Sequence, residues 1–138
     1  MTITLDENQV GFCDVDGWIE SIHTGFMGDG YANTNNIIGS SIVWSIDAPA
    51  AGEYVLQWRY ANAVGSRSGN VLNGSMVVSN ISFAPTGAWS NWQLSDQVRL
   101  SLFEGQNSIT LRASTSNGLP NIDYLQVTGL APVAGECN

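Results

Sequence analysis

Three oxygen-bearing side chains stand where a half-buried strand would carry hydrocarbon. In TITLDENQV, Glu7 and Gln9 continue the period-two face begun by Ile3 and Leu5. In NIDYLQV, Asp123 is in register with Leu125 and Val127. A carboxylate turned toward a core needs a partner, because burying an unpaired charge costs several kcal/mol. The chain has only four Arg and no Lys, so a cation is the readier partner. Oxygen donors from Glu, Gln and Asp, with loop carbonyls, suit hard Ca²⁺ rather than zinc. The plainer alternative is that the strand ends fray and both carboxylates reach water.

A second candidate is aromatic. Trp89 lies in Thr86-Gly87-Ala88-Trp89-Ser90-Asn91, among turn residues, whereas Trp92 is in register with Leu94, Val98, Leu100 and Leu102. The pattern predicts Trp92 as core and Trp89 as a contact surface, or else as a lid over the core edge.

Enzyme constellations are nearly absent. The sole histidine, His23, has no Cys or Ser motif beside it, and neither Gly-x-Ser-x-Gly nor a phosphate-binding Gly-Lys loop occurs. Asp14, Asp16, Glu20 and Asp29 fall in one region, and paired carboxylates can cleave glycosides. Acids in turn segments of so small a domain more often solvate or ligate.

The elements that position these residues read as strands separated by turns. Period-two runs predict strands at 2–10, 17–22, 31–37, 41–47, 53–61, 76–83, 92–102, 107–113 and 121–128. In 53–61, Tyr54, Leu56, Trp58 and Tyr60 share one face. Turn chemistry falls between the runs, as at Asn73-Gly74, Glu104-Gly105 and Asn117-Gly118-Leu119-Pro120. No window keeps helical periodicity. The fold class predicted is all-β, a two-sheet antiparallel sandwich of the jelly-roll kind, as one domain over 1–138 with a loose tail after Leu130.

Composition bounds the partners. The 138 residues carry a formal charge of -8, with twelve acids against four Arg. That argues against nucleic acid, which needs a basic footprint, and against anionic lipid. No apolar run approaches the roughly 20 residues of a membrane span. The N-terminus lacks the basic and apolar regions of a signal peptide, and a strand-like run directly after Met1 suggests a module of a longer precursor. Cys13 and Cys137 lie too far apart for a Cys-x-x-Cys motif. They either form a bridge closing nearly the whole chain, which would fit a secreted protein, or remain two free thiols.

Five segments in order resemble carbohydrate-binding modules of family 35, relatives of family 6. They are Gly25-Phe26-Met27-Gly28-Asp29-Gly30-Tyr31-Ala32-Asn33, Ala50 to Ala61 (AAGEYVLQWRYA), Thr86 to Trp92, Leu102 to Leu111, and Asn121-Ile122-Asp123-Tyr124-Leu125. The resemblance spans about residues 5–129 and implies a galactose-binding-like sandwich with a structural calcium. Glu7, Gln9 and Asp123 match that ion's ligands, although Glu-Asn-Gln stands where two acids are commoner. It also implies a ligand site of Tyr31, Trp89 and Asn121. Asp29 and Asn33 would supply oxygens to a second, ligand-bridging calcium, and Arg67 would pair with a sugar carboxylate.

The resemblance therefore implies a non-catalytic, calcium-dependent module for uronic acids of plant cell-wall polysaccharides such as pectin. The favoured ligands are glucuronic acid and 4,5-unsaturated galacturonic acid. An appended catalytic domain, such as a pectate lyase, would be its partner. The alternatives are a module for neutral xylan, mannan or galactan with only the structural calcium, a small glycan-cleaving enzyme, and a jelly roll that binds protein through the Trp89 loop.

Overall fold

The computed structural model describes residues 1–137 as strands joined by turns, and among the described residues there is no helix. In chain order the strands are β1 (Thr2–Asp6), β2 (Phe12–Val15), β3 (Gly17–Glu20), β4 (Tyr31–Thr34), β5 (Ser41–Ala48), β6 (Gly52–Ala61) and β7 (Arg67–Asn73). They continue with β8 (Met76–Phe83), β9 (Gln93–Leu94), β10 (Val98–Leu102), β11 (Gly105–Ala113), β12 (Asn121–Thr128) and β13 (Val133–Ala134).

Two antiparallel sheets result. One runs β10-β6-β12-β4-β3, with β1 on β12 and β9 on β6; the other runs β13-β5-β11-β7-β8, with β2 on β5. The alternation seen in β6 is what joins them: Tyr54, Leu56, Trp58 and Tyr60 are buried against Trp44, Ile46, Ile109, Leu111 and Phe83 of the other sheet. Burying side chains of this size contributes about 1.5–3 kcal/mol each. The all-β sandwich expectation holds.

Several boundaries differ. β1 stops at Asp6 rather than at residue 10, because a turn follows and Asn8 takes a left-handed φ of 57°. The run 92–102 is broken into β9 and β10, which leaves Leu94 exposed. β7 was not expected from its Arg-Ser-Gly-Asn start. It forms because it lies between β11 and β8, where Val71 and Leu72 are buried and Gly69 lets β11 approach. The tail after Leu130 is not loose: β13 pairs with β5, and Cys137 is bonded to Cys13 beside it. The bridge reading of the cysteines is therefore the one observed. It spans a sequence separation of 124.

Candidate functional site

The register of β12 shifts between Ile122 and Tyr124, so Asp123 is the extra residue of a β-bulge. Ile122 and Leu125 keep the core, and Asp123 turns toward Arg59 and the 21–30 loop instead of joining Leu125 and Val127. It is nonetheless buried. The Arg59 Nη1 lies 2.6 Å from its Oδ2, and the Met27 amide donates to both carboxylate oxygens. Burial still pushes the Asp123 carboxyl above its usual range, against the pull of Arg59.

Asp123 meets Asp6 and Glu7, with one oxygen from each within 4.8 Å of the others. Glu7 is 3% exposed. Its Oε1 accepts the amides of Asp29 and Gly30, while its Oε2 is buried with no hydrogen-bond partner. Burial and then the neighbouring Asp6 push the Glu7 carboxyl up to about 8. An orphaned oxygen among three carboxylates, with one Arg as counter-charge, fits a hard divalent cation. Gln9 is not where the resemblance placed it. β1 ends before it, Gln9 is exposed in the following turn, and Asp6 completes the acid set instead.

The ligand residues assemble elsewhere, at the end of the sandwich where β3, β4, β7 and β12 begin or finish. A pocket of about 230 Å³ brings together Asn33, Arg67, Trp89 and Asn121, which are four of the five expected side chains. The fifth, Tyr31, is fully buried beside Trp92 and Phe26, so its ring offers no face to a ligand. Burial and the Glu20 carboxylate push its hydroxyl up to about 12. Asp29 is also displaced from expectation. Its amide is bound to Glu7 and its side chain is not part of the pocket.

Four further residues line the pocket without having been expected in a binding role: Glu20, Ile22, His23 and Asn36. Glu20 Oε1 accepts from the Tyr31 hydroxyl at 2.5 Å, and its Oε2 accepts from Asn33 and Trp18 at 3.1 Å each. Burial opposes its charge, but those hydrogen bonds outweigh it and hold the carboxyl below its usual range. His23 lies 6.4 Å from the Trp89 ring. The signal for Glu20 is its place two residues from Trp18 on one strand face. The supposed acid cluster is dispersed: Asp14 lines a different cleft, Asp16 accepts from Ser41, and Asp29 sits by Glu7.

Arg67 has the most constrained position. It is 9% exposed, its Nη1 donates to the carbonyls of Asn117 and Leu119, and its guanidinium packs 5.2 Å from the Trp89 ring centre. Its Nε is buried without a partner. Trp92 is buried as expected, and its indole N–H donates to the Thr24 carbonyl, which ties the 21–30 loop over the smaller apolar cluster. A larger cleft of about 350 Å³ beside the disulfide has no aromatic wall; Ser45, Gln106 and Ser108 line it with the two cysteines. The smaller pocket is the better binding candidate, because it alone of the two combines a ring, amides and a cation.

A family model described as carbohydrate binding module (family 6) matches residues 14–129. Over 98% of its length the chain is 45% identical to endo-1,4-beta-xylanase B of Cellvibrio japonicus (strain Ueda107), and equally so to alpha-L-arabinofuranosidase C of that strain. It spans 23% and 22% of those curated relatives. A family 35 module from Cellvibrio japonicus Abf62 superposes with a TM-score of 0.97 at 43% identity, each chain being covered in full. Xyl-CBM35, solved in complex with a glucuronic acid containing disaccharide, superposes at 0.94 with 44% identity over 99% of both chains. The chain belongs to the non-catalytic carbohydrate-binding modules of families 6 and 35.

Proposed function

We propose that the Trp89 pocket binds a uronic acid, glucuronic acid or 4,5-unsaturated galacturonic acid, through its ring and its carboxylate together. The single observation that carries this is that one pocket sets the Arg67 guanidinium beside the Trp89 ring, with Asn33 and Asn121 in the same wall. A sugar carboxylate in the pocket pairs with that guanidinium, and a charge-assisted bond is worth about twice a neutral one. Trp89 packs on the C–H face of the ring, while Asn33 and Asn121 donate to and accept from vicinal hydroxyls. The 44% identical module solved with a glucuronic acid containing disaccharide supports the same chemistry.

Asp6, Glu7 and Asp123 hold a calcium ion that fixes the bulge of β12 and the 21–30 loop, and with them the floor of the pocket. The ion supplies charge balance to three buried acids; Arg59 alone supplies one positive charge. Because Asp29 stands with Glu7 outside the pocket, the carboxylate of the sugar falls to Arg67 rather than to a calcium held by Asp29. In its full context the module tethers a glycoside hydrolase to plant cell-wall polysaccharide outside the cell, as the xylanase and arabinofuranosidase relatives suggest. The gain comes from effective concentration rather than chemistry.

Titration calorimetry with glucuronic acid, unsaturated galacturonic acid and glucose, in calcium and again in EDTA, tests this. Heat with an acid and none with glucose supports the reading. Silence with both acids, with heat from xylan, mannan or galactan oligosaccharides, overturns it in favour of a neutral glycan.

A further inference from the structure

Trp18 belongs to neither apolar cluster and is 51% exposed on β3, the last strand of its sheet path. In register it stands opposite Asn33, as Glu20 stands opposite Tyr31, so these four side chains share one face. Its indole N–H donates to Glu20 Oε2 at 3.1 Å, the same oxygen that accepts from Asn33. Gly17 draws β3 against β4 at this point, since a Cβ there would come within 2.1 Å of the Asn33 carbonyl oxygen.

The indole has one polar atom, and that atom is committed to a residue of the pocket. That bond orients the ring, and half of the residue's surface is left to solvent. The pocket, at about 230 Å³, has room for little more than one sugar ring, so the next ring of an oligosaccharide must leave it. Glu20 and Asn33 form the wall on the Trp18 side, and both offer polar atoms to hydroxyls there.

We infer that Trp18 is a second subsite, which stacks on the sugar adjoining the uronic acid bound in the Trp89 pocket. This deepens the proposed function and rests on it. The occupant is a pyranose ring, whose C–H face matches the indole while its hydroxyls meet Glu20 and Asn33. Such a subsite makes the module read the residue to which the acid is attached as well as the acid itself.

The test compares glucuronic acid with glucuronic acid-capped oligosaccharides of two to four sugars, in wild type, Trp18→Ala and Trp18→Phe. Calorimetry gives affinity, and thermal melting confirms that each variant is folded. Stacking of this kind contributes roughly threefold to tenfold in affinity. Trp18→Ala is expected to lose that factor on the oligosaccharides and to leave the monosaccharide within about twofold. Trp18→Phe, which keeps a ring and loses the bond to Glu20, should recover part of the loss. Equal affinity of wild type for monosaccharide and oligosaccharides overturns the subsite alone. A Trp18→Ala penalty as large on the monosaccharide also overturns it, because Trp18 would then act only by positioning Glu20. No binding of any of these sugars by wild type overturns the pocket reading and this inference together.

Discussion

The Arg67 guanidinium lies 5.2 Å from the centre of the Trp89 ring, and the two side chains wall one pocket. Arg67 is anchored from behind by the 117 and 119 carbonyls, so it can brace the ring without leaving its place. Trp89, half-buried in a loop, has that guanidinium and the His23 ring, 6.4 Å away, as neighbours.

Removing the ring separates binding from folding. Trp89→Ala is expected to weaken glucuronic acid binding by at least about tenfold, the scale of a buried anchor at an interface. Its thermal midpoint should move little, since the ring is outside both buried clusters. Calorimetry and thermal melting on the same sample check this. Unchanged affinity would remove Trp89 from the site.

The acid cluster sets a dependence on pH and on calcium. The metal-free folded protein holds a proton on Glu7 up to about pH 8, whereas the unfolded chain releases it near 4.5. The folded state therefore binds more protons through that window, and this contribution to stability, full below 4.5, is lost as pH rises toward 8. Calcium replaces the proton, so its stabilising effect should grow over the same range. At a hundredfold excess over its dissociation constant the gain is about 2.7 kcal/mol. Glu7→Gln should flatten both dependences. Melting curves across pH, in calcium and in EDTA, measure this; a midpoint indifferent to both would contradict the metal assignment.

The disulfide ties the end of the chain to β2, and neither cysteine lines the pocket. Opening it in a Cys13→Ser, Cys137→Ser double variant frees a loop spanning 124 residues of separation. The expected loss is about 3–5 kcal/mol in urea unfolding, with sugar affinity retained. Loss of affinity in a still-folded variant would show that the bridge also shapes the site.

Much of this was legible in the residues, and the exceptions have physical causes. Alternation in 53–61 located the core face, because side-chain direction repeats every two residues in a strand. The same rule pointed to Asp123 as anomalous but could not show the bulge that re-aims it. Where β1 stops, the alternation stops too, so Gln9 was favoured and Asp6 missed. The resemblance implies Tyr31 as a ligand residue; its burial comes from Phe26 in the adjoining loop and from Trp92, which is far away in sequence. Glu20 carries no motif. Its spacing from Trp18 puts the two on one strand face, but its bonds to Tyr31 and Asn33 come from the pairing of β3 with β4.

The central claim is the place of the site, and nuclear magnetic resonance on ¹⁵N-labelled protein tests it most directly. Titration with glucuronic acid should shift the Trp89 indole N–H, the Asn33 and Asn121 side-chain amides and the Arg67 Nε–H, and leave the disulfide cleft unmoved. Shifts confined to Ser45, Gln106 and Ser108, with Trp89 silent, would contradict it.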